Sequence, residues 1–204
     1  MMAFKLIGGH PAVDFLNTVG GFEPALVELL PSYADLVAWA EQTGLIGPEQ
    51  AGRLRAAARQ ETATLARAHE LRAHLEAVIR AELAGTAPDR HHLDAIHDAY
   101  VAALAAARLG RGPAAYAWGW PASDEPESVL WPIADRIVGL LGSADLARLA
   151  ECSTANCRWI YLDRTKNHNR RWCSDDTCGV NARMRRYRAA RRAGSPAGVP
   201  ARER

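Results

Sequence analysis

Four cysteines are the residues whose types and spacing most clearly announce chemistry. Cys152 and Cys157 form one Cys-x4-Cys pair, Cys173 and Cys178 a second, and fifteen residues separate the pairs. Thiolate binds zinc well, and four of them match the tetrahedral demand of a zinc ion. Two short loops that each supply two sulfurs suit a metal knuckle pair, with a hairpin or ribbon in the insert between them. A spacing of four is at the loose end of the usual range. The competing chemistry is a pair of disulfides. Met1-Met-Ala-Phe-Lys5 opens the chain without the apolar stretch of an export signal, and a reducing compartment favours metal over disulfide. The expectation is Zn2+ on Cys152, Cys157, Cys173 and Cys178, in a cytoplasmic protein. Four sulfurs fill the coordination sphere, so such a metal is structural rather than catalytic. His168 lies in the insert and reads better as a loop histidine or phosphate contact than as a ligand.

Arginine follows the cysteines directly, in the run Gly179-Val-Asn-Ala-Arg-Met-Arg-Arg-Tyr-Arg-Ala-Ala-Arg-Arg192. In a helix from about Asn181, Arg185, Arg188 and Arg192 stack at steps of three and four, and Arg183 and Arg186 take a neighbouring edge. Met184 and Tyr187 are expected to pack back on the knuckle and Trp172. Arg164, Lys166, Arg170 and Arg171 precede the second cysteine pair and would add phosphate contacts. Arginine forks hold phosphates or read a guanine edge. The formal charge of +2 hides an asymmetry: residues 1–150 hold 12 Lys+Arg against 18 Asp+Glu, a balance of −6, and residues 151–204 hold 13 against 5, a balance of +8. A basic module on an acidic body points to a polyanion partner, DNA first, for the module alone.

The elements that must position this module read as mainly α with a small β element: a helical domain over 1–150, a zinc module of hairpin and basic helix over 151–193, and a disordered tail over 194–204. Phe4–Ile7 is a strand candidate, expected to pair with the alternating segment Ala114–Pro121. Pro11 suits the first turn of a helix, on whose polar edge His10, Asp14 and Asn17 fall in line. Those three residues, with Trp39, Trp118 and Trp120, are candidate walls of a ligand pocket. The competing reading makes Asp14 and Asn17 backbone locks and the tryptophans plain core. Ser32 is the N-cap of a helix over Tyr33–Thr43 that Gly44 ends. A long helix is expected from Pro48 to about Leu83, along an apolar line that includes Leu54, Ala58, Leu71, Leu75 and Ile79. Asp89 opens the next helix, with Leu93, Ile96, Tyr100, Val101 and Leu104 inward and Gly110 at its end. His69, His74, His91, His92 and His97 on these helices read as surface residues, because none has a partner at a known metal-motif spacing. Glu127–Leu141 is amphipathic with Pro132 inside it, and Ser143 caps a last helix that runs into Cys152 without a linker. No apolar run approaches the ~20 residues of a membrane span.

Gly8-Gly-His-Pro-Ala-Val-Asp-Phe-Leu-Asn-Thr18, Asp35-Leu-Val-Ala-Trp39, the Trp118/Trp120 segment and Arg170-Arg-Trp-Cys173 with its partner cysteines resemble the bacterial ABATE-domain proteins that carry a C-terminal CGNR-type zinc finger. The resemblance covers about residues 4–192. It implies a helical N-terminal domain that senses a ligand, a zinc finger that binds DNA, and a role as a stress-induced transcription regulator. The chain departs from the family at its signature. Aligned without a gap, Cys178 and Gly179 carry over, while Val180 and Asn181 replace the signature Asn and Arg.

Three other functions compete. Trp159, Tyr161 and Trp172 could stack on RNA bases, although packing a small metal hairpin is the simpler role. The zinc hairpin could serve as a protein-interaction adaptor. An enzyme built on His10, Asp14 and Asn17 is not expected, because the chain has no nucleophile elbow, phosphate-cradling glycine loop or His-Glu-x-x-His. A small-molecule effector and a homodimer are left open.

Overall fold

The computed structural model describes residues 3–57, 61–112 and 114–193; Ala58, Pro113, the tail from Gly194 and the side chain of Arg192 lie outside the described residues. Helix α1 (Pro11–Leu16) leads into a hairpin of β1 (Val19–Phe22) and β2 (Ala25–Glu28). Helices α2 (Tyr33–Gln42), α3 (Pro48–Ala56), α4 (Glu61–Ala84) and α5 (Arg90–Ala106) follow. A second hairpin, β3 (Arg108–Arg111) and β4 (Tyr116–Gly119), precedes α6 (Leu130–Leu141). A third, β5 (Leu149–Glu151) and β6 (Ile160–Leu162), carries the first cysteine pair in its connection, and α7 (Val180–Ala193) closes the described chain. All three hairpins are antiparallel and separate. The architecture is mainly α with small β elements, as expected.

Local signals explain the helix ends. The Ser32 hydroxyl accepts from the Asp35 N–H at 3.2 Å and Asp89 accepts from the His91 N–H at 3.1 Å, each satisfying a donor that the first turn leaves free. Pro132 sits in the first turn of α6, where its missing N–H is no loss. The core joins Phe15 of α1, Leu36 and Trp39 of α2, Leu54 of α3, Leu75 and Ile79 of α4, and Ile133, Ile137 and Leu140 of α6. Phe15 and Trp39 meet with ring centroids 5.4 Å apart.

Several expectations change. The single helix from Pro48 to Leu83 is two helices, because α3 packs beside α2 while α4 runs along α5. Alanine and arginine favour helix throughout this stretch, but packing decides where it breaks. Phe4–Ile7 is not a strand: the Gln42 amide holds the Phe4 backbone instead, accepting from its N–H at 2.8 Å and donating to its C=O at 2.7 Å. The strand at 116–119 pairs with Arg108–Arg111, so α5 ends at Ala106 and Gly110 lies inside β3. Ile96 of α5 is buried and Ala99 packs on the core, while Leu93, Val101 and Leu104 are exposed. Ser143 caps a short 3-10 turn over Ala144–Arg148, and a strand rather than a helix leads into Cys152.

Candidate metal centre and nucleic-acid interface

The hairpin β5–β6 brings the first cysteine pair to the second. Ala150 pairs with Tyr161 and Leu149 with Leu162, and the Cys152 N–H donates to the Trp159 C=O at 3.0 Å. The hairpin thus wraps the first knuckle, rather than forming within the insert between the knuckles. Asn156 takes a positive φ of 62°, one that Asn tolerates better than most residues. It turns the chain so that the Cys157 N–H reaches the Thr154 C=O at 3.0 Å. The Ser153 N–H donates to the Arg171 C=O at 2.8 Å and ties this loop to the segment entering Cys173. A π-type turn over Asp175–Gly179 then delivers Cys178 and launches α7.

All four cysteines are buried and their ligand atoms lie within 4.8 Å of one another. The Sγ of Cys157 lies 3.9 Å from that of Cys173 and 3.8 Å from that of Cys178, and the Sγ atoms of Cys173 and Cys178 are 3.6 Å apart. A disulfide needs about 2.05 Å. Sulfurs bound tetrahedrally at about 2.3 Å from zinc lie roughly 3.8 Å apart, so the donor set fits the ion. As a thiol Cys152 differs from Cys157 and Cys173. Burial raises all that shift, but N–H groups of Cys173 and Thr154 outweigh it at Cys152 and bring that thiol down to about 7. Burial carries Cys157 up to about 12, and Cys173 is also pushed up, by burial and then by its neighbouring sulfurs. A coordinated divalent cation deprotonates such thiols outright.

Arg170 is the internal post of the module. Its guanidinium lies 4.0 Å over the Tyr161 ring and donates to the carbonyls of Trp172 at 3.0 Å, Cys173 at 2.6 Å and Ile7 at 3.3 Å. The Tyr161 hydroxyl donates to the Arg170 C=O at 2.7 Å. Asp163 accepts from the Arg170 N–H at 2.9 Å and the Thr165 N–H at 2.9 Å, closing the intervening loop. Arg170 is therefore committed to carbonyls, and the phosphate contact expected of it is withdrawn. Arg164 pairs with Asp145 of the body at 2.9 Å.

The body grips the module through polar clamps. Asn17 accepts from the Ile160 N–H at 3.1 Å and donates to the Ile160 C=O at 2.7 Å. The Leu162 N–H donates to the Gly8 C=O at 2.8 Å. Gly8 itself must lack a side chain, since a Cβ there would sit 2.9 Å from the backbone of Val13 and Asp14. Asp14 accepts from the Gly8 N–H at 2.8 Å, and His10 caps α1 by accepting from the Ala12 N–H at 3.2 Å. The β1–β2 hairpin lies against the first knuckle: the Glu23 N–H reaches the Asn156 C=O at 2.8 Å. Arg158 pairs with Glu23 at 2.8 Å and with Glu76, and Arg80 pairs with Glu151.

The residues expected to line one ligand pocket fall in four places. His10, Asp14 and Asn17 are the locks just described. Trp39 is core, with its indole N–H unpartnered among the described residues. The Trp120 N–H donates to the Ala103 C=O at 2.7 Å, and Trp118 is 68% exposed on β4. A cleft of about 210 Å³ opens elsewhere, among Arg67, Glu70, Leu71 and His74 of α4, residues of α5, and Trp131 of α6.

Helix α7 shows the opposite of commitment. Arg183, Arg185, Arg186, Arg188 and Arg191 are all exposed, and the helix bears no acidic residue. Among the described side chains of the helix only Arg183 approaches an acid, with 4.0 Å to Asp175. Arg186 and Arg171 lie 5.9 and 5.8 Å from the ring of half-buried Trp172. Met184 and Tyr187 do not pack back on the knuckle; both are exposed. Lys166 and Arg171 are exposed, Arg171 beside the same Trp172 ring that Arg186 of α7 approaches. Arg191, absent from the sequence-derived set, belongs with it: the charge run itself was the signal. Tyr161 is buried and Trp159 packs on the sulfur cluster, so neither is free to stack on a base.

A helical body clamped to a four-cysteine metal module, with an arginine helix leaving it, defines a zinc-finger protein with a sizeable accessory domain. Residues 9–144 match the ABATE family model, described as "Putative stress-induced transcription regulator", and residues 148–192 match the CGNR zinc finger model. The chain belongs to the ABATE family and ends in a CGNR zinc finger that holds Zn2+ on its cysteines. No curated protein matches the chain. Among the described residues no helix is long and apolar enough to cross a membrane.

Proposed function

We propose that the protein regulates transcription in the cytoplasm by binding duplex DNA through α7, with the exposed Lys166 and Arg171 adding contacts. One observation carries the reading. Five exposed arginines share a helix that bears no acidic residue, and among the described side chains only Arg183 meets an acid, while Arg80, Arg158 and Arg164 at the body–module interface are paired. Like charges three and four residues apart destabilise an isolated helix, and a polyanion turns that repulsion into attraction. Zinc holds the helix at a set angle to the body; no catalysis is part of this reading, since Asp14 and Asn17 are spent on backbone. Neutralising about six phosphates gives a log–log salt slope near roughly −5 on duplex DNA. Arg185→Ala with Arg188→Ala should make it shallower by roughly 2. A slope near zero in the wild type overturns the reading, and binding unmoved by the double variant favours a protein-interaction adaptor.

The body is read as the sensing half. The cleft beside α4 supports a small-molecule effector, and a thermal-shift screen of metabolites that stabilises nothing would leave the body a scaffold. The reading also includes a homodimer, with exposed Leu109, Tyr116 and Trp118 of the β3–β4 hairpin as its supporting face. Light scattering that returns the mass of one chain removes that part.

A further inference from the structure

Three histidines that are separated in sequence meet where α4 passes the start of α5. His74 comes from the middle of α4, and His91 and His92 from the first turn of α5. Their ligand atoms lie within 4.8 Å of one another. The Nδ1 atoms of His74 and His92 are 2.9 Å apart, and the rings of His91 and His92 lie 3.8 Å apart by centroid. Nitrogens bound to one ion at about 2.0–2.1 Å lie roughly 3.0–3.4 Å apart, so the His74–His92 pair needs only a few tenths of an ångström to share a metal.

We infer that His74, His91 and His92 form a second metal site, for a divalent late transition ion of the kind imidazole prefers, such as Zn2+ or Ni2+. The surroundings suit it. Asp89 Oδ1 lies 2.9 Å from Nδ1 of His91, leaving that ring's Nε2 to carry the lone pair, as carboxylates do behind metal-bound histidines. Among the described residues no arginine or lysine is paired into the cluster; Arg90 turns to Asp94 at 2.8 Å. Three protein ligands leave coordination positions open, unlike the four-sulfur centre. His74 also lines the cleft between α4, α5 and α6, so an anionic small molecule there could complete the shell. The ion would staple α4 to α5. Nothing in this inference depends on DNA binding.

The experiment uses the full chain with its finger loaded with one zinc. Equilibrium dialysis against Ni2+ should add one nickel per chain and leave the zinc in place. At a hundredfold excess over Kd the melting temperature should rise by roughly 5–10 °C. His74→Gln, and separately His91→Gln with His92→Gln, should lose the nickel and the shift while keeping one zinc and the wild-type circular dichroism. His97→Gln, on α5 outside the cluster, should retain both. A wild type that binds no nickel beyond its finger zinc overturns the inference, as does a His91→Gln/His92→Gln variant that still binds it. If a variant misfolds, the wild-type stoichiometry and the His97→Gln control decide the question alone.

Discussion

The body and the zinc module keep a fixed structure by different means. In the body, Phe15, Leu36, Trp39, Leu54, Leu75, Ile79, Ile133 and Ile137 are buried against one another, and each large side chain contributes about 1.5–3 kcal/mol by leaving water. The module's buried cluster is four sulfurs and Tyr161, with Ile7, Ala150, Trp159 and Trp172 around them. That is too little apolar surface to offset the entropy of ordering its loops. Its order comes from the metal, from Arg170 gripping carbonyls, from a seam of hydrogen bonds with the body, and from Ile160 and Leu162 of β6, which are buried in the body's own core. A module held in these ways presents its last helix at a defined angle even though the described side chains of α7 are mostly exposed. The cost is dependence: metal or seam lost, the angle is lost.

The largest effect expected from this contrast follows removal of zinc. Structural zinc is worth ~10–16 kcal/mol in finger peptides, so chelation or Cys173→Ser should unfold the segment from Cys152 to Cys178 while the helices of the body persist. Amide exchange should rise throughout the module and stay low at Leu75, Ile79 and Ile137. Equal loss of protection in both regions would show that they are one cooperative unit. Zinc must displace protons from buried thiols, two of which are raised and one of which lies near pH 7. Affinity measured against a chelator should therefore fall as the pH drops across the neutral range, and more steeply below about 7, where Cys152 also takes up a proton.

A smaller effect tests the seam. Asn17→Ala removes two hydrogen bonds to the Ile160 backbone and leaves both of its polar groups buried. At about 1–3 kcal/mol for each orphaned group, denaturant unfolding should show a loss of about 2–6 kcal/mol. Zinc stoichiometry should remain one per finger. A neutral result would mean that the β5–β6 hairpin holds Ile160 in place unaided.

The smallest effect lies at Asp14. Burial raises its carboxyl from 3.8 to about 6, against the lowering effect of the Gly8 and Ile7 N–H groups. The stability tied to its neutral form is fully present below pH 3.8 and is lost as the pH rises through about 6. Asp14→Asn cannot ionise and keeps an oxygen for the Gly8 N–H. Subtracting the variant's melting curve from that of the wild type should give a difference that falls between pH 4 and 6 and is flat above. A flat difference throughout would place the carboxyl in water.

Much of this was legible in the residue order. The cysteine spacing named the metal, the Ser32 and Asp89 caps marked helix starts, and the apolar period found Ile133 and Ile137 on α6. The Arg183–Arg192 run announced its charge before any coordinate. The alternation over Ala114–Pro121 marked β4, but β1, β2 and β3 were less legible, because each is four residues long and β1 and β3 carry glycine, so that period and propensity barely register. The break between α3 and α4 escaped because alanine and arginine permit helix across it. His91 and His92 were illegible as ligands, because adjacent helical residues do not share a face and the third donor belongs to another helix.

Local chemistry, written in the residues themselves, determined which atoms bind zinc, where helices begin, and which segment carries unneutralised charge. Tertiary structure alone decided which basic residues remain available. Arg170 and Arg185 are the same side chain in the same basic half. One is enclosed by the carbonyls of Ile7, Trp172 and Cys173, the other faces solvent. A side chain's capacity to bind is a property of its type, but its freedom to bind depends on what the rest of the chain has already placed around it.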